Sequence, residues 1–120
     1  MVDIKIKNED VQFNLMHYRY HPMLSRITRW IAQEWGAIFY TEGYRKKRHP
    51  NDLHGEIPVR AVDLRSRIYA VPDLVAEKIN NEWVYDPERP EMKVCVYHDT
   101  GEGLHFHIQV HPNTMRKGNL

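Results

Sequence analysis

At 120 residues the chain has the length of one domain, and 42% hydrophobic with 28% charged residues excludes a disordered or fibrous chain. A formal net charge of +1 gives no strong field for nucleic acid or an anionic membrane surface, so neither is an expected partner. No stretch approaches the ~20 apolar residues of a membrane span, and the one cysteine, Cys95, excludes an internal disulfide.

Met1 to Asp10 alternates charged and apolar residues and lacks the apolar core of a signal peptide, which predicts synthesis in the cytosol. Within it, Ile4 and Ile6 alternate with lysines as in a short strand. Pro22 opens a helix at its first position. Leu24, Ile27, Ile31 and Trp35 recur at spacings of three and four, and Gly36 follows as a stop signal. Ala37 to Thr41 reads as a strand, and Glu42-Gly43-Tyr44 as the turn leaving it.

From Arg45 to Pro58 the chain is polar, basic and broken by two prolines, which predicts an ordered loop over a cleft. Ala61 to Leu64 is a short strand carrying one aspartate. A second helix begins near Pro72-Asp73, with Leu74, Val75 and Ile79 as its buried face. Met92 to Tyr97 and His105 to Val110 are the last two strands, joined by a hairpin loop over Asp99 to Gly103. Cys95, between Val94 and Val96, reads as a small buried side chain in a chain that folds under reducing conditions. This order predicts an α+β fold: one domain over residues 1–120, a mainly antiparallel sheet and two principal helices.

Eight histidines stand out, and their placement carries the chemistry. On a strand, Phe106, Ile108 and Val110 share one face, and His105, His107 and Gln109 share the other. Two imidazoles about 7 Å apart along one face suit a single metal centre, or one ligand beside one acid/base group. A pair of exposed histidines on a solvated face is the plainer alternative. Asp63, between Val62 and Leu64, is a carboxylate that is expensive to desolvate unless a cation meets it. Arg60 or Arg65 would make that cation a salt bridge. A metal is the other solution, with His54 reaching the same centre from the preceding loop. Two histidines and a carboxylate with an open fourth position are what catalytic zinc requires.

Thr41-Glu42-Gly43-Tyr44-Arg45, then His54 leading to Arg60-Ala61-Val62-Asp63-Leu64-Arg65, then His105-Phe106-His107 occur in a familiar order. It resembles the zinc peptidase superfamily of D-alanyl-D-alanine carboxypeptidases, L-alanyl-D-glutamate endopeptidases, lysostaphin-type enzymes and the hedgehog signalling domain, which includes small phage wall hydrolases. The resemblance spans about Pro22 to Pro112. It implies zinc ligands at His54, Asp63 and His107, with His105 as proton carrier or oxyanion stabiliser. Arg45, after the Gly-Tyr turn, would hold a substrate carboxylate or carbonyl.

The sequence departs from that pattern twice. His54 and Asp63 stand nine positions apart, against about seven in these peptidases. Strict spacing would put Glu56 at the ligand position, although imidazole suits zinc better than a second carboxylate there. Several members also carry an acid three residues before the last ligand. Glu102 stands three before His105, so it is the base if His105 is the ligand and a hairpin residue if His107 is. His98 and Asp99, closing the neighbouring strand, are candidates to brace a metal-bound imidazole.

The resemblance implies a zinc metallopeptidase that cuts amide bonds in peptidoglycan peptides containing D-residues. Such an enzyme acts as a monomer on the cell wall once released or carried by a virion. The alternative is a zinc-stabilised, non-catalytic binding or virion structural module on the same scaffold.

Overall fold

The computed structural model describes residues 1–119. After strand β1 (Asp3–Ile6) come helices α1 (Glu9–His17) and α2 (Pro22–Trp35), then strand β2 (Ala37–Glu42). Strand β3 (Ala61–Leu64), helix α3 (Pro72–Glu82) and strand β4 (Trp83–Val84) follow, and strands β5 (Cys95–Asp99), β6 (Leu104–Gln109) and β7 (Met115–Arg116) complete the order. The main sheet has the order β1-β2-β3-β6-β5. Its β1–β2 pair is parallel and every other pair antiparallel. The α1–α2 segment is the long crossover that parallel pairing needs. β4 and β7 form a separate two-stranded ribbon.

Local signals explain these elements. In α2, His21 caps the start by accepting from the Met23 N–H at 3.1 Å, and Pro22 occupies the first turn. The helix stops at Gly36, whose φ of 74° lies in the left-handed region that a side chain resists. Leu24, Ile27 and Ile31 form its inward stripe and are essentially unexposed. They meet Ile38, Val62, Leu64, Phe106 and Ile108 from one sheet face, and Val75, Ile79 and Trp83 from the α3 side. Each such side chain contributes about 1.5–3 kcal/mol through burial, so this one cluster holds both helices to the sheet. Cys95 belongs to it, as its apolar neighbours predict, and burial pushes its thiol up to about 12.

The fold class is α+β with a mostly antiparallel sheet, as the sequence predicts, but several details differ. Helix α1 is additional. Asn8 caps it, accepting from the Val11 N–H at 3.0 Å, and Glu9 and Asp10 favour its first turn electrostatically. Leu74 is exposed, and Val75, Ala76 and Ile79 are the residues of α3 that face the core. β2 runs one residue further, to Glu42, which pairs with Asp63 across a register shift. β5 begins at Cys95, not Met92, because residues 87 to 92 are spent on turns. Its first residue is held by Asn80 of α3, which donates to the Cys95 carbonyl and accepts from the Cys95 N–H, both at 2.9 Å. Among the described residues no helix is long and apolar enough to cross a membrane.

Candidate metal centre

Antiparallel register places Asp63 of β3 directly opposite His107 of β6. Since Val62 and Leu64 are committed to the helical side, Asp63 must point to the other face, with His105, His107 and Gln109. That face is not bare. The segment from Gly43 to Arg60 folds over it, and His54, in a single 3₁₀ turn at Leu53–Gly55, is only 1% exposed.

Asp52 builds this segment. Its buried carboxylate accepts from the backbone N–H groups of His54 at 3.2 Å and Arg48 at 3.1 Å, and from the Arg45 guanidinium at 3.3 and 3.4 Å. Burial pushes the Asp52 carboxyl up, but these donors outweigh it and hold it below its usual value.

Three ligating atoms converge. His54 Nε2 lies 3.3 Å and His107 Nδ1 3.1 Å from the same Asp63 oxygen, Oδ1. The three residues offer atoms that all lie within 4.8 Å of one another, a spacing that a single metal ion can bridge. Burial pushes the Asp63 carboxyl up, but the neighbouring His107 and His54 outweigh it and hold the group well below the usual carboxylate range.

His54 supplies the test of whether a metal fits. Its Nδ1 lies 2.8 Å from the Gly43 carbonyl oxygen. A carbonyl only accepts, so Nδ1 carries the proton and donates it. In the neutral ring Nε2 is then a lone pair, buried, without a hydrogen-bond partner, and 3.3 Å from a carboxylate oxygen. Two electron-rich atoms facing each other need a cation between them, either a metal ion or the second proton of an imidazolium. Two imidazole nitrogens and one carboxylate oxygen are a donor set suited to zinc.

The remaining expected residues separate cleanly. Glu56 is drawn off by Lys47, 2.7 Å away, and takes no part in the cluster. Between His54 and Asp63 the loop is tied down where Val59 exchanges backbone hydrogen bonds with Arg19 and His21. His105 lies beside the cluster. Its Nδ1 is 3.1 Å from the Gly103 carbonyl, and its Nε2 faces the second Asp63 oxygen at 3.9 Å. Glu102 is an exposed hairpin residue outside the cluster, which is its place when His107 is the ligand. His98 stands across from His105 on β5, its ring centroid 4.8 Å from that of His105 and 5.9 Å from that of His107. Its desolvation first, and then its two histidine neighbours, lower its pKa.

The arginines are not arranged as the sequence suggests. Arg60 donates to the Val110 carbonyl at 2.8 Å and to the Tyr85 hydroxyl at 3.1 Å. Arg65 lies over the Phe39 ring at 4.1 Å. Neither meets Asp63. Arg45 does approach it, at 3.9 Å, but its guanidinium is already bound by Glu42 at 2.6 Å and by Asp52. Arg45 therefore enters as a brace between β2 and the loop.

No family model matches the chain, and neither does any curated protein or solved structure. Geometry alone carries the site.

Gly43 is the residue that sequence reasoning treats only as a turn. A Cβ there would collide with the Tyr20 hydroxyl. That hydroxyl donates to the Asn14 carbonyl at 2.9 Å and accepts from the Tyr44 N–H at 2.8 Å. We expect Gly43→Ala to cost about 1–3 kcal/mol in urea unfolding through overpacking. It should also weaken metal binding, because the Gly43 carbonyl that orients His54 must shift. Zinc affinity equal to wild type would show that this carbonyl does not govern His54.

Proposed function

We propose that the protein is a zinc peptidase acting on peptide bonds of peptidoglycan, with His54, Asp63 and His107 as its metal ligands. The observation that carries this reading is the buried, unpartnered Nε2 of His54, which is aimed at the one carboxylate oxygen that His107 also faces. Three protein ligands rather than four leave a coordination position for the reaction, the arrangement of catalytic and not of structural zinc.

Zinc in this position supplies a Lewis acid for the scissile carbonyl and lowers the pKa of its water towards ~7. The chain's own residues do the rest. His105, tied at Nδ1 to the Gly103 carbonyl, presents Nε2 on the open side of the cluster, where it takes up or returns a proton. The Gly43 carbonyl and Asp52 hold the His54 loop down. The open cleft in front has a volume of about 1580 Å³ and runs past His98, His105 and Tyr97 on one side and Tyr44 and Arg48 on the other. That exceeds the ~300–1,000 Å³ of small-ligand pockets and suits an extended polymer. The choice of peptidoglycan rests on the resemblance of Gly43-Tyr44-Arg45, His54, Asp63 and His105-Phe106-His107 to the wall peptidases.

Elemental analysis after gentle purification should find close to one zinc per chain, and chelation should lower the melting temperature because zinc binds the folded state. A chain that neither carries zinc nor takes it up would overturn the metal site. Zymography on purified cell walls then separates the two uses of the scaffold. Clearing that is lost on chelation and restored by zinc supports the peptidase. A zinc-loaded protein that releases nothing from walls of several bacterial types is a binding module instead.

A further inference from the structure

Gln109 lies two residues beyond His107 on the same face of β6, and the proposed chemistry gives it no part. It is 8% exposed, and both ends of its amide are engaged. Its Nε2 is 2.7 Å from the Lys93 carbonyl oxygen, and its Oε1 is 3.2 Å from His107 Nε2. The first contact fixes the second. The Lys93 carbonyl can only accept, so the amide must turn its NH₂ there and its oxygen towards His107. An oxygen at that place demands a proton on His107 Nε2.

We infer that Gln109 is the positioning residue for His107: it relays the Lys93 carbonyl to the imidazole, holds the proton on Nε2 and turns the Nδ1 lone pair onto the metal. The inference rests on the metal reading. The two histidines then use opposite nitrogens, each held by an acceptor on its outer side. Gly43 acts directly on His54 Nδ1, and Lys93 acts on His107 Nε2 through one intervening amide. The ring plane of His107 is fixed as well as its tautomer, since the amide is anchored to the backbone before β5. Partners of this kind typically set metal affinity within ~10–100-fold.

Three proteins test this: wild type, Gln109→Leu and Gln109→Glu. Leu keeps the volume and removes the acceptor. Glu restores an oxygen facing His107 and gives up the donation to Lys93. Zinc affinity is read by competition with a chromophoric chelator, and the His107 ring N–H by NMR of the metal-free, nitrogen-15 histidine-labelled proteins. In the wild type the Nε2 proton should be resolved and slow to exchange. Gln109→Leu should lose that resonance and bind zinc ~10–100-fold more weakly. Gln109→Glu should regain the resonance and most of the affinity.

A merely structural role for Gln109 predicts the opposite order, because a buried Leu is tolerated better than a buried Glu. Leu binding zinc as tightly as wild type, or Glu binding no better than Leu, overturns the inference. If Gln109→Glu does not fold, the affinity and the ring proton of Gln109→Leu decide. If the wild type takes up no zinc at all, the metal reading fails by itself, and the Nε2 resonance in wild type and Leu still tells whether Gln109 holds that proton.

Discussion

Asp63→Ala is expected to abolish stoichiometric zinc binding while leaving a folded chain. Zinc-binding peptides gain ~10–16 kcal/mol from about four ligands, so one ligand is worth about 3 kcal/mol, or on the order of 10²-fold in affinity. The loss here should be larger, because Asp63 Oδ1 is the atom on which both imidazoles converge. If Asp63 were instead the acidic half of an ion pair with Arg45, 3.9 Å away, the substitution would cost stability and leave zinc in place. That alternative is already weakened by Glu42 and Asp52, which occupy the guanidinium. Zinc content, measured beside the urea midpoint of the metal-free proteins, separates the two. An Asp63→Ala protein at full zinc occupancy would remove Asp63 from the ligand set.

The second large effect divides the two histidines of one strand face. His107→Ala should lose zinc. His105→Ala should keep zinc and lose most cleavage of cell-wall peptides, since a positioned acid/base group is worth ~10²–10⁴-fold in rate. Geometry sets this assignment: His107 Nδ1 is 3.1 Å from Asp63, whereas His105 Nε2 is 3.9 Å from the other oxygen. The reverse result, with His105→Ala demetallated, would exchange their roles and make Glu102 the base. Glu102→Ala would then be inactive and zinc-loaded. On the present geometry Glu102→Ala should retain activity, because its exposed side chain lies outside the cluster.

What the sequence makes legible is whatever depends on periodicity. The α2 stripe of Leu24, Ile27 and Ile31, its stop at Gly36 and the shared face of His105 and His107 all follow from spacing alone. Asp63 is conspicuous because a charge between Val62 and Leu64 must be met by something. Contacts across the fold are different. Asp52 reads as one more polar loop residue, yet it organises the turn that presents His54. Arg45 looks free until Glu42 and Asp52 are seen to hold it.

Helix α1 is missed for a physical reason. Of its apolar residues Val11 is buried and Leu15 packs on the core, while Phe13 and Met16 face solvent, so no apolar stripe marks it. Asn8 followed by Glu9 and Asp10 is the signal that could have found it. Gln109 was equally in view, on the same strand face as the histidines, but its role depends on where the Lys93 carbonyl lies.

Two of the three proposed ligands sit on neighbouring strands, and the third, His54, sits on a long irregular segment. A cation gripped by His54 and His107 closes a covalent-like ring of 54 residues through the chain. In the loop-entropy treatment of cross-links, a ring of that size removes roughly 4 kcal/mol of freedom from the unfolded state. With Cys95 as its one cysteine, the chain has no disulfide with which to make such a tie. A metal held there would then be the protein's removable cross-link, present or absent according to the zinc available around it.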